Sequence, residues 1–85
     1  MKVDIDADLQ AIDEDGLLWA YADEARDASL LQPGALLMAG DERARAVIEV
    51  VELVHEASGV IVRMRRLPGA PEDYAEVLRR AELVA

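Results

Sequence analysis

Polar and apolar residues alternate one for one at the start of the chain. In KVDIDADLQ, Val3, Ile5, Ala7 and Leu9 fall on one side and Asp4, Asp6, Asp8 and Gln10 on the other. A period of two with that contrast predicts a half-buried strand, and the like charges along its polar side discourage edge-to-edge pairing. The turn signal DEDG (13–16) comes next, followed by LLWAYADEARD (17–27). That stretch supports two readings. As a short helix it gathers Leu17, Leu18, Tyr21, Ala22 and Ala25 on one side; as an extended segment it sets Trp19 and Tyr21 on a shared face. Its alanines favour the helix and its aromatic pair the strand. QPG (32–34) predicts a tight turn, with Pro33 fixing φ and Gly34 supplying a positive φ. ALLMAG (35–40) then reads as a short buried strand and GDERA (40–44) as a loop.

The stretch VIEVVELVHEASGVIVRMRRLPG (47–69) carries two competing periods. Arg45, Glu49, Glu52 and Glu56 recur at helical spacing, with Asp41 placed to cap a helix start and Gly59 its end. Against this, Val47, Ile48, Val50, Val51 and Val54 put five β-branched residues into eight positions, a composition that suits a pleated surface. The β-hairpin is therefore the expected structure, with EASG as its turn and VIVRMRRL as its second arm. A four-residue connection (56–59) sets Glu52 opposite Arg63 and Glu49 opposite Arg66; a five-residue connection (55–59) sets Glu49 opposite Arg65. Either register pairs acids with bases across the strands. Beyond LPGAP (67–71), Pro71 suits the first turn of a helix, and Glu72 and Asp73 suit its positive end. Tyr74, Val77, Leu78 and Ala81 would line the apolar side of that C-terminal helix, over about 71–83. The fold class expected is mainly β (α+β): one domain over 1–85, a curled antiparallel sheet with a Val-rich hairpin over about 45–67 and a C-terminal helix.

Composition and charge narrow the function. At this length a folded chain buries roughly 60–65% of its unfolded surface, so the stability margin is thin. Without cysteine, neither disulfides nor thiolate ligands can supplement the core. There is no apolar run long enough to span a bilayer and no basic-then-apolar leader pattern; a soluble, cytoplasmic protein is expected. The formal net charge of -9 is uneven. Residues 1–27 hold nine acids against two bases, and residues 60–85 four against five. An acidic front half repels phosphate backbones and anionic membranes.

Catalytic signals are sparse. His55 is the single histidine, and Ser29 and Ser58 are the only serines, with Ser58 inside a turn where serine is an ordinary turn former. One histidine and carboxylates make a poor zinc set. The D-x-D-x-D of Asp4, Asp6 and Asp8 opens like a calcium loop, but Leu9 stands where the turn glycine belongs and Asp15 where the bidentate glutamate belongs. The glycines are spread one to a turn, so no phosphate-cradling loop exists. No metal or cofactor is expected, and no enzymatic activity.

Gly16 and Trp19, the run Ala25–Arg26–Asp27, Pro33–Gly34, Ala39–Gly40 and Leu67–Pro68–Gly69 together carry a resemblance. Over most of residues 13–69 the chain resembles a group of small, functionally uncharacterised actinobacterial proteins. The order of a long first loop and then tightly connected strands is also similar to an SH3-like small barrel. Neither resemblance implies an activity.

Trp19 and Tyr21 are two of only three aromatic residues. They either pack at the core or its edge, or form an exposed shelf flanked by Asp23, Glu24 and Asp27, suited to a basic or proline-rich peptide. The function expected is a protein-interaction or oligomerising domain whose acidic surface takes a basic partner. One alternative is nucleic-acid binding through Arg63, Arg65, Arg66, Arg79 and Arg80; another is an acidic, antitoxin-like inhibitor of a basic enzyme. The exposure of Trp19 and the neutralisation of Arg63 and Arg65 by glutamates separate the first two.

Overall fold

The computed structural model describes residues 3–78. Its strands are β1 (Ile5–Asp6), β2 (Leu18–Tyr21), β3 (Leu36–Gly40), β4 (Arg45–Glu56) and β5 (Gly59–Arg66), in the sheet order β1-β3-β4-β5-β2. They form one curled, mixed half-barrel.

The Val-rich stretch is a hairpin. Its helical stripe of acids is overridden because β4 finds partners on both sides, β3 and β5, and buries β-branched residues against each. Glu56 pairs with Gly59 across a two-residue turn. Both expected registers occur in the same hairpin: Glu52 faces Arg63, and Glu49 faces Arg65. A bulge at Val51 makes this possible, because two residues of β4 then oppose one step of β5. The pairing of Glu49 with Arg66 does not form; Arg66 lies opposite Ile48 instead.

The first strand is shorter than its alternation suggests, and the sheet is not wholly antiparallel. Only Ile5–Asp6 pairs, and it pairs parallel to β3. Asp4 sets that register from both ends of its residue. Its amide donates to the Met38 carbonyl (2.8 Å) and its Oδ2 accepts the Met38 amide (2.8 Å). The Ala7 amide then reaches the Gly40 carbonyl, and the chain leaves the sheet. A parallel neighbour needs a long crossover, which the excursion through β2 and two 3₁₀ turns, Ala22–Glu24 and Ala28–Leu30, supplies.

Residues 17–27 resolve as strand and then 3₁₀ turn. Leu18 and Ala20 point inward, joining Ile5, Leu37, Ile48, Val50, Val62 and Met64 in the core. Ala46, Val47 and Ile48 are buried in succession, which no single face of a strand permits. Val47 and its partner Met38 are buried outside the core cluster, on the reverse side of the sheet, and the C-terminal segment also contacts β4. That segment is a 3₁₀ turn, Pro71–Tyr74, continuing as helix through residue 78. Its expected apolar side is only partly realised: Tyr74 and Leu78 are half-buried, but Val77 is exposed. Ala81, Arg79 and Arg80 lie outside the described residues. Among the described residues no helix is long and apolar enough to cross a membrane.

Candidate interaction site

Strand alternation on β2 decides where its aromatics go. Since Leu18 and Ala20 face the core, Trp19 and Tyr21 face outward, 40% and 36% exposed. Their rings meet edge to face, with centroids 5.9 Å apart and an interplanar angle of 82°, an arrangement favoured by the ring quadrupoles. Tyr21 lies beside Gly59 at the hairpin turn and its hydroxyl donates to Ser58 Oγ at 3.4 Å. Neither ring is therefore buried in the core interior. The inward positions are taken instead by smaller side chains, Leu18 and Ala20 from β2 and Ala39 from β3 among them.

The flanking acids divide into two kinds. Asp23 and Glu24 are exposed, and neither carboxylate has a hydrogen bond or ion pair among the described residues. Asp27 is committed to structure: its Oδ1 accepts the Ser29 amide (2.9 Å) and hydroxyl (2.6 Å), capping the second 3₁₀ turn. Those two Ser29 donors, hydroxyl first, hold its pKa below the ordinary carboxylate value.

Arg63 is the densest ionic centre. Its Nη2 reaches Asp13 Oδ2 at 2.9 Å and Asp15 Oδ2 at 2.5 Å, its Nε reaches Asp13 Oδ2 at 3.1 Å, and its Nη1 reaches Glu52 Oε1 at 3.1 Å. Its side chain is only 22% exposed. Asp15, Glu52 and Asp13, in that order, raise its pKa still further. Asp13 also closes the DEDG turn, accepting the amides of Asp15 and Leu17 on Oδ1. The Leu17 amide is the main reason that its pKa is lowered; burial opposes it, and Arg63 and the Asp15 amide add to the lowering. Arg65 pairs with Glu49. Of the arginines expected to form a phosphate-binding surface, Arg63 and Arg65 are therefore already matched by carboxylates. Arg66 is exposed, on the far side of the hairpin pleat from both.

The aspartate ladder does not assemble a cation site. Asp4 accepts the Met38 amide, Asp8 accepts the Gln10 amide, and Asp6 is exposed without a partner among the described residues. Among the described residues no group of three or more histidine or acidic side chains is placed to hold a metal ion.

Sequence reading missed two contributors. Asp13 and Asp15 read as turn formers, which they are, but they also reach an arginine some fifty residues away. Spacing could not reveal that. The available signal was that Arg63 would sit opposite Trp19 if 17–27 were a strand paired with β5, which brings the DEDG turn to its side.

These carboxyls give a pH prediction. Asp13, Asp27 and Asp41 all have lowered native pKa values; for Asp41 the donors are the Arg43 and Ala44 amides. A depressed native pKa contributes stability that is present above the unfolded value, about 3.9, and is lost as pH falls through the native value. Thermal midpoints measured from pH 7 down to about pH 2.5 should hold level to roughly pH 5 and then decline. Asp13→Asn should lower the midpoint at pH 7 and make the acid decline shallower. A midpoint flat into acid, or an unchanged slope in Asp13→Asn, would count against this assignment.

No protein-family model, no curated protein and no solved structure matches this chain.

Proposed function

We propose that this is a non-enzymatic, cytoplasmic protein-interaction module on an SH3-like small barrel, presenting Trp19 and Tyr21 with their neighbouring acids to a basic protein partner. The observation that carries this reading is the exposed, mutually ordered aromatic pair on a strand whose adjoining turn holds two unpartnered carboxylates, Asp23 and Glu24. Solvent-exposed tryptophan and tyrosine supply large contact area at low side-chain entropy cost and dominate interface energetics. The net charge of -9 adds long-range attraction for a basic surface. The arginine alternative is the weaker reading, because phosphate contacts by Arg63 would compete with three carboxylates already bound to it.

The test is capture of partners by the tagged chain from a lysate of its source organism, with and without nuclease. The expected result is a protein that survives nuclease, is released by salt, and is retained at least about tenfold less by Trp19→Ala. Asp23→Lys with Glu24→Lys should likewise reduce it. Capture of nuclease-sensitive material, or full retention by both variants, would overturn the reading. Asp27 is left intact because its capping role would confound the result.

A further inference from the structure

The curl of the half-barrel brings its two outer strands, β1 and β2, towards each other without fully joining them. Two isolated bridges stitch the seam, Ile12 to Leu18 at one end and Ile5 to Ala25 at the other. Between the stitches, the β2 residues Trp19–Tyr21 pair with β5 on one side and have no strand on the seam side. The Leu17 carbonyl accepts the Asp13 amide from that open side at 2.8 Å. Backbone groups of alternate residues in an antiparallel strand point the same way, so those of Trp19 and Tyr21 are also aimed into the gap. Among the described residues neither the Trp19 carbonyl nor the Tyr21 amide meets a backbone partner there.

The gap is an open groove of about 790 Å³. Trp19, Tyr21 and Leu9 give it apolar wall, and Asp6, Asp8 and Glu24 give it negative charge, against Arg43 and Arg66. Asp6 and Glu24 are exposed and unpartnered among the described residues. An unpaired strand edge is a template for another strand, and peptide recognition by strand addition takes its affinity from main-chain hydrogen bonds and its selectivity from alternate side chains.

Resting on the basic-partner reading above, we propose that this seam binds an extended, lysine- or arginine-bearing peptide segment, added as a short strand along the free edge of β2. Its side chains alternate between the Trp19–Tyr21 shelf and the acid-lined groove. The window spans three residues, about 10 Å at roughly 3.3 Å per residue, so three or four residues of the partner are enough to fill it. A second copy of this chain is a poor occupant, since it brings the same acids to the contact.

The probe is an acetylated and amidated hexapeptide of alternating valine and lysine, titrated into the full chain at low salt. Backbone amide shifts locate the contact. Two further peptides carry N-methyl groups on the valine amides or on the lysine amides, which preserves charge and side chains while removing alternate donors. The expected result is amide shifts centred on Trp19–Tyr21, at least tenfold weaker binding by one methylated peptide, and loss of binding in Asp6→Lys with Glu24→Lys. If all three peptides bind alike with shifts at Trp19, strand addition is overturned while the basic-partner reading stands. If no peptide binds, or an alternating valine–glutamate peptide binds equally well, both are overturned. A concentration-dependent dimer with the same shifts and no peptide would assign the edge to a second copy and overturn the proposal.

Discussion

Gly40→Ala is expected to cost at least about 4 kcal/mol and to leave the protein largely unfolded. Gly40 ends β3 with φ at +138°, and a Cβ there would lie 2.1 Å from the Ala44 carbonyl oxygen and 2.9 Å from the Arg45 Cα. Both obstacles are backbone, so no side chain can swing away. The backbone itself is held: the Gly40 carbonyl accepts the Ala7 amide, and the Asp41 amide donates to that same Ala44 oxygen. Asp41 Oδ1 further accepts the amides of Arg43 and Ala44. Relief therefore requires opening either the β3–β4 turn or the junction with β1. A domain of this length has a total stability of about 4–13 kcal/mol, so either choice removes a large share of it. Gly34→Ala is the matched control. Its φ is +90° but nothing lies within 4 Å of the added Cβ, leaving only the left-handed backbone penalty of about 1–2 kcal/mol. Urea unfolding followed by Trp19 fluorescence checks both; a Gly40→Ala midpoint equal to that of Gly34→Ala would show that the turn yields easily.

The contrast between those glycines marks how far the sequence could be read. Both stand in recognisable turn signals, and both turns are present. What separates them is the approach of Ala44, a three-dimensional fact without local signature. The hairpin was legible because five β-branched residues outweigh a helical stripe of acids, and β4 is a strand throughout Arg45–Glu56. Its bulge was not. Val50 and Val51 are chemically identical, and only the pairing partners Met64 and Arg63 decide which is doubled. The two alternative registers were in retrospect its trace, each correct for the portion of the hairpin on its own side of Val51. The parallel β1–β3 pair was likewise hidden. Alternation reports which side of a strand is wet and is silent about the direction of its neighbour.

The candidate site shows the same division. Aromatic scarcity singled out Trp19 and Tyr21, and alternation predicted their shared face if the segment were extended. Which face was wet required the partner strand. Taking Asp23, Glu24 and Asp27 as one acidic flank misses that Asp27 has a Ser two residues on. That spacing is a capping signal in the sequence itself, and it removes one member from the set. Acidity alone could not show that Asp6, from the other edge of the sheet, joins Glu24 across the seam.

Ile48→Ala is the second large effect expected, about 2–5 kcal/mol. Ile48 has 0% exposure and sits on the central strand, between Leu37 on β3 and Arg66 on β5. It belongs to the core cluster that includes Ile5, Leu37, Val50 and Met64. The core holds no phenylalanine to collapse into the vacancy, since the chain has none, and the neighbouring inward positions include alanines that cannot extend. Small domains also have few other contacts to compensate. Ile48→Val, which removes one methylene, should cost only about 0.5–1.5 kcal/mol. Val51→Ala, three residues away on the same strand, should stay within about 1 kcal/mol, because Val51 is the exposed residue of the bulge. The ordering of the three urea midpoints tests the placement of the core directly. If Val51→Ala proved as damaging as Ile48→Ala, the valine of the bulge would have to be inward and the register on one side of it wrong. The seam geometry depends on that register, since the inward set of β5 is fixed by the same ladder that fixes Leu18 and Ala20 inward on β2. The midpoint of Ile48→Ala thus bears on the aromatic shelf as well, because Trp19 and Tyr21 are outward only while Leu18 and Ala20 have this core to fill.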